Sequence, residues 1–105
     1  MAARISTEQF EELVLKADRP VLVDFYSDTC IPCKMLSATL GDIEDEYGDK
    51  IQIYKVNVNY DADLAGQYQV MAAPTVILFH QGAERGRLKG AAGKDEITEL
   101  FADYL

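Results

Sequence analysis

The two cysteines of the chain stand in one short segment, Cys30-Ile31-Pro32-Cys33. An apolar run over residues 21–26 ends just before them, and a helix-like pattern begins just after them. Two thiols at this spacing suit three kinds of chemistry: a metal site, a structural disulfide, or a dithiol that cycles between reduced and oxidised forms.

A metal site and a structural disulfide are both disfavoured by the residues. A structural zinc ion needs four ligands, and beyond the cysteines the chain offers one histidine, His80, in an apolar strand-like segment. A disulfide that closes so short a loop removes little entropy from the unfolded chain, so it stabilises the fold only slightly.

Redox cycling is favoured by the position of the cysteines. Cys30 would lie at the N-terminal end of a helix, with Pro32 in its first turn. The free N–H groups and the dipole at a helix N-terminus favour a thiolate over a thiol, so Cys30 is predicted to be the nucleophile. Cys33, one turn further in, would be more shielded and would act as the resolving thiol.

The elements that must position these thiols follow from the periodicity of the apolar residues. Ser6 and Gln9 form the pattern of a capping box, and Phe10, Leu13, Val14 and Ala17 follow with helical spacing. Further helices are predicted from the cysteines to Gly48, over residues 61–68 and at the C-terminus. Strands are predicted over residues 21–26, 51–58, 75–80 and 85–89, with a turn at 81–82 and a short first strand within 2–5. This alternation predicts an α/β protein with a mixed sheet covered by helices on both faces.

Length and charge limit the classes of function. A chain of 105 residues predicts one domain, residues 1–105. The net charge of −8 argues against nucleic acid and against an anionic membrane surface as partners. The sequence has no apolar run of the ~20 residues that cross a bilayer, and its first residues lack a secretory h-region, so a cytoplasmic location is expected.

The chain resembles thioredoxins over essentially its full length. The resemblance is carried by VDFYSDTCIPCKM (23–35), YKVNVN (54–59), YQVMAAPTVILFHQGAERGRLKG (68–90) and the helix-like tail. It implies the thioredoxin fold, a central mixed β-sheet of four to five strands flanked by helices on both faces. It also implies a protein-disulfide reductase that acts as an electron carrier on disulfide-containing client proteins. A flavoenzyme of the thioredoxin reductase type would recharge it, and the chain itself, expected to be a monomer, would need no cofactor or metal.

Asp24, Lys55 and Pro74 gain roles from this resemblance. Asp24 interrupts an apolar strand; a solvated face explains it equally well on chemistry alone, whereas the resemblance implies a buried proton acceptor for the resolving thiol. Lys55 matches the lysine beside that aspartate, although a surface lysine is nearly as good an interpretation. Pro74 occupies the position of the family's cis-proline, and the backbone of Ala73 would pair with an extended client segment.

The chain departs from the family pattern Trp-Cys-Gly-Pro-Cys at two positions. Thr29 replaces the tryptophan, and Ile31 replaces the glycine, in a chain that has no tryptophan. Both changes should alter the choice of client more than the exchange chemistry. The predicted client-binding residues are Thr29, Ile31, Pro32, Ala73, Pro74 and Gly90. An apolar patch would add Met71, Ala72 and Ala91, although Met71 fits core packing equally well.

Two other functions stay open from the sequence. One is a non-catalytic binding module that docks a partner through the same surface without turnover. The other is a disulfide isomerase or oxidant, which requires a higher redox potential.

Overall fold

Five strands form one mixed sheet in the computed structural model, which describes residues 2–105. The order across the sheet is β1, β3, β2, β4 and β5. β1 and β2 run parallel to β3, whereas β4 runs antiparallel to β2 and to β5. The strands are β1 (Ala3–Arg4), β2 (Val21–Tyr26), β3 (Gln52–Asn57), β4 (Thr75–His80) and β5 (Ala83–Lys89).

Within the described residues, four helices cover the sheet. They are α1 (Thr7–Phe10), which continues as a π-helical turn over Glu11–Leu15, then α2 (Ile31–Tyr47), α3 (Ala62–Gln67) and α4 (Lys94–Phe101), which ends in the 3₁₀ turn Ala102–Tyr104. The predicted α/β architecture, a central mixed sheet of four to five strands flanked by helices on both faces, is therefore confirmed, with five strands in the sheet. Each predicted helix and strand is present, most with ends shifted by one or two residues.

The first helix differs most from its prediction. Its capping box is present, with the backbone N–H of Ser6 donating to Oε1 of Gln9 at 2.9 Å. After Phe10, however, the chain widens into the π-helical turn, in which Lys16 N–H donates to the carbonyl of Glu11 at 3.0 Å. Val14, which is buried, and Leu15, which is half-buried, both lie in this turn and pack on the core.

Two cores lie on opposite faces of the sheet, because successive side chains of a strand alternate in direction. Under α1 and α3, Phe10 and Leu64 pack on the odd-numbered residues of β2, such as Val23. Under α2 and α4, Leu36 and Phe101 pack on Leu22 and on residues of β3 and β4. By the same alternation Asp24 lies on the face of Leu22, which α2 covers.

Candidate active site

The two sulfurs are held at the start of α2. Cys30 is the N-cap residue, with extended backbone angles (φ −96°, ψ 110°), and Pro32 lies in the first turn. Pro32 fits there because the first N–H groups of a helix have no intrahelical acceptor, so a missing N–H costs nothing. Cys30 and Cys33 form a disulfide, with their Cα atoms 5.2 Å apart.

The two sulfurs differ in access to solvent. Cys30 is half-buried, whereas Cys33 is 5% exposed. The backbone N–H of Cys33 donates to Sγ of Cys30 at 3.1 Å, so a free helix N–H group points at the outer sulfur. This geometry confirms the predicted placement of Cys30 at the helix terminus and of Cys33 one turn further in. Such an N–H group stabilises a Cys30 thiolate in the reduced protein.

Asp24 is buried beneath this helix, with no hydrogen-bond partner among the residues that the structure describes. It has no exposed surface, and neither carboxylate oxygen accepts a hydrogen bond within the described part of the chain. Burial raises the pKa of Asp24 from 3.8 to about 6, against the smaller opposing effect of the Lys55 charge. The solvated-face interpretation is therefore wrong, and the carboxylate can change protonation near neutral pH.

Lys55 lies beside Asp24 on the neighbouring strand, in direct register with it. Its ammonium Nζ lies 3.4 Å from Oγ of Ser37 and 4.6 Å from the ring centroid of Tyr26. The side chain lines a cleft of about 200 Å³ together with Cys33 and Asp28. Lys55 is thus half-buried at the mouth of the site rather than free on the surface.

The segment before β4 closes the other side of the outer sulfur. The Ala73–Pro74 peptide bond is cis, as the resemblance implied, and the carbonyl oxygen of Ala73 lies 3.6 Å from Sγ of Cys30. Gly90 N–H donates to the Pro74 carbonyl at 2.8 Å. Gly90 has φ of +84°, a left-handed conformation that glycine adopts without steric cost.

Apolar side chains are exposed in the segments that contain Cys30 and Ala73. Ile31 is 72% exposed and Met71 is 92% exposed. Thr29, Pro32, Ala72 and Ala91 are also exposed, while Ala73 is half-buried and Pro74 is buried. The structure thus leaves most of the predicted client-binding residues accessible, with Pro74 beneath them.

Asn57, which the sequence analysis missed, ties the loop before Cys30 to the end of β3. This buried amide donates to Oδ1 of Asp28 at 3.2 Å, and its own oxygen accepts from the backbone N–H of Asn59 at 2.9 Å. Asp28 stands two residues before Cys30, so the amide anchors the segment that leads into Cys30. An asparagine between two valines near the end of a predicted strand was the available signal.

His80 lies away from this site. Its ring packs edge-on against Tyr104, with centroids 5.4 Å apart. Residues 2–105 also contain no group of three or more His, Cys, Asp or Glu side chains placed to hold a metal ion. Across the same residues, no helix combines the length and the apolar character that crossing a membrane requires.

Comparisons with known proteins agree with this geometry. The family model Thioredoxin matches residues 1–103. The chain is 38% identical over 101 residues to a thioredoxin of Acidithiobacillus ferridurans, covering 96% of this chain and 94% of that one. It is 39% identical over 103 residues to a thioredoxin of Mycolicibacterium smegmatis, covering 96% and 92%. A chloroplastic thioredoxin M-type of Spinacia oleracea is 33% identical over 101 residues, covering 96% of this chain and 56% of that one.

The family model spans nearly the whole chain, and two of the relatives have a matching length. Together with the disulfide-forming Cys-x-x-Cys pair at a helix N-terminus, they indicate a thiol–disulfide oxidoreductase role. The chain belongs to the thioredoxin family.

Proposed function

We propose that this protein reduces disulfides in client proteins and carries the electrons as the Cys30/Cys33 dithiol. The observation that carries the proposal is the asymmetry of the pair, with Cys30 half-buried at the start of α2 and Cys33 5% exposed. The Cys30 thiolate attacks one sulfur of a client disulfide and forms a mixed disulfide. The other client sulfur leaves as a thiolate and takes a proton from solvent.

Cys33 then resolves the mixed disulfide with help from Asp24. The thiol of Cys33 gives its proton to the Asp24 carboxylate and attacks Sγ of Cys30. The Cys30–Cys33 bond forms, the bond to the client breaks, and the client leaves with both cysteines reduced. Because the pKa of Asp24 is about 6, most molecules hold it ionised at neutral pH and able to accept that proton.

A return to the dithiol completes the cycle. A flavoenzyme of the thioredoxin reductase type, drawing on NADPH, is the proposed source of the two electrons. A cycle that starts from a dithiol suits a reducing compartment, and we place the protein in the cytoplasm as a monomer of one domain. Lys55 completes the proposed catalytic group by offsetting the charge on Asp24, to which its own charge couples.

Replacing each cysteine separately tests the proposal. Cys30→Ser should abolish dithiothreitol-driven reduction of a model protein disulfide, because the attacking sulfur is lost. Cys33→Ser should instead accumulate a covalent adduct with the client, visible on a non-reducing gel and released by excess thiol. Full activity in Cys30→Ser, or an adduct through Cys33 in that variant, would show that the nucleophile is assigned wrongly.

A docking role without turnover is the second candidate, and the exposure of Ile31 and Met71 beside the sulfurs favours it. An apolar surface of this kind binds partners whether or not electrons move. The same assay separates the two functions, since a docking module would bind clients and leave their disulfides intact. An isomerase or oxidant would be distinguished by the equilibrium potential of the pair against glutathione.

A further inference from the structure

A groove beside the buried sulfur carries two lysines. Two adjoining cavities, of about 280 and 200 Å³, share Lys34, Ser37 and Lys55 in their walls. Cys33 borders the smaller cavity, and Leu40 and Gly41 border the larger one. We call the pair the lysine groove; it runs along α2 away from the sulfurs.

Among the described residues, the lysine groove has more positive than negative side chains in its walls. In residues 2–105, neither Lys34 nor Lys55 forms an ion pair with a carboxylate, whereas Lys16 and Lys94 do. Within the part of the chain that the structure describes, the larger cavity is lined by Lys34, Lys55 and Ser37 and by no Asp or Glu. Asp28 borders only the smaller cavity, where it accepts the hydrogen bond from Asn57, and Asp24 is fully buried beneath.

This local charge opposes that of the whole chain. A protein of net charge −8 repels acidic partners at long range. In the larger cavity the charged residues are Lys34 and Lys55, so the sign is reversed there, and the neighbouring apolar residues strengthen the attraction for a carboxylate. The fully apolar patch at Ile31 and Met71 offers no such discrimination.

We propose that the lysine groove sets client preference by taking an acidic side chain that the client carries near its reactive disulfide; this inference rests on the function proposed above. From Cys33 to Gly41, α2 rises about 12 Å at 1.5 Å per residue. An extended client advances about 3.3 Å per residue, so the carboxylate should stand about two to four residues from the cystine. Lys34, exposed on α2, is the specificity-determining residue.

A matched pair of peptide disulfides tests the inference on the reduced full-length protein. Both peptides carry one internal disulfide, and they differ only in having Glu or Gln at the third position on each side of it. The second-order rate constant for oxidation of the protein is measured at low ionic strength by acid quenching, alkylation and mass spectrometry. We expect the Glu peptide to react about two- to fivefold faster, the range of an exposed ion pair, and the advantage to vanish at high salt.

The sign of the difference separates the groove from bulk charge, because repulsion by the whole chain would make the Glu peptide the slower one. Lys34→Gln should bring the Glu/Gln ratio close to one, and Lys34→Glu should invert it. Lys50→Gln is the matched control, since Lys50 is an exposed lysine that precedes β3, at the opposite end of that strand from the sulfurs, and it should keep the ratio.

The other outcomes refute either the lysine groove alone or the proposed reductase function as well. Equal rates for the two peptides, or a ratio that Lys34→Gln leaves unchanged, would refute the groove while leaving disulfide reduction intact. An equal loss in Lys34→Gln and Lys50→Gln would assign the effect to net charge and also refute it. Failure of both peptides to react would instead remove the proposed reductase function, and the groove inference with it.

Discussion

Among residues 2–105, two carboxylates are buried, and the fold treats them in opposite ways. Asp61, 9% exposed, accepts the backbone N–H of Thr7 at 2.9 Å and the Thr7 hydroxyl at 3.0 Å. Asp24, with no exposed surface, accepts no hydrogen bond within the described residues. Asp61 thereby joins the start of α1 to the start of α3, whereas Asp24 makes no such hydrogen-bonded link among the described residues.

The difference between the two carboxylates shows where the fold holds a side chain that can change its charge. A buried carboxylate whose oxygens accept hydrogen bonds joins the elements that supply the donors and so serves architecture. A buried carboxylate without donors has a raised pKa and can exchange a proton with a neighbour. Because Asp24 lies on the sheet face that α2 covers, this second kind of carboxylate lies under the helix that carries both cysteines.

The largest expected effect is that of Asp24→Asn on turnover. The amide has nearly the same shape and cannot accept the proton of Cys33, so resolution of the mixed disulfide should slow by about 100-fold, a typical loss for a general base. The rate of the unmodified protein should also rise with pH through about 6, the pKa of Asp24, and the variant should lack that rise. Stopped-flow measurement of client release from a preformed mixed disulfide isolates this step.

A matched control for this variant is Asp61→Asn, which changes the other buried carboxylate in the same way. It should leave the rate of resolution and its pH dependence unchanged. If the two substitutions slow resolution equally, the contrast between the carboxylates has no catalytic meaning.

The next effect concerns stability and pH in the oxidised protein. The pKa of Asp24 is about 6 in the folded chain against 3.8 for an ordinary aspartate, so protonation favours folding. The stabilisation that the protonated Asp24 carboxyl gives to the folded state is present below about pH 4 and is lost as the pH rises through 6. Asp24→Ala removes this dependence. The difference in free energy of unfolding, variant minus unmodified protein, should therefore be about 2 kcal/mol higher at pH 8 than at pH 4.

Urea unfolding of both proteins across this pH range provides the measurement. Because other groups titrate in both proteins, only the difference between the two curves reports on Asp24. Parallel curves would mean that the pKa of Asp24 is the same in the folded and unfolded chains, contrary to its burial without partners.

The sequence predicted the scaffold well because the scaffold depends on local periodicity. Strands such as β2 and β4 are short apolar runs bounded by turn residues, and their limits were predicted to the residue. The π-helical turn was missed, since the apolar residues of the first helix also fit ordinary α-helical spacing. The choice between the two turns depends on how α1 packs on the sheet, which one-dimensional spacing does not contain.

The candidate site was predictable where the chemistry lies within one segment. The spacing of Cys30 and Cys33 and their place before a helix indicated a dithiol without further help. The bond between Asn57 and Asp28 joins residues 29 positions apart, and no pattern near either residue indicates the other. The burial of Asp24 needed the family resemblance, because a lone carboxylate in a strand fits a solvated face equally well.

The smallest expected effect is that of Thr7→Val on stability, which tests the structural role of Asp61. Thr7→Val keeps the shape of the side chain and the backbone donor but removes the hydroxyl that Asp61 accepts at 3.0 Å. One hydrogen bond of this kind contributes about 1 kcal/mol, so urea unfolding should show a loss of that size. Disulfide reduction should proceed at the unmodified rate, because the contact serves only to join α1 to α3. A slowed client release in Thr7→Val would mean that the carboxylate of Asp61 also acts on the sulfurs. The assignment of a structural role to Asp61 and a catalytic role to Asp24 would then be wrong.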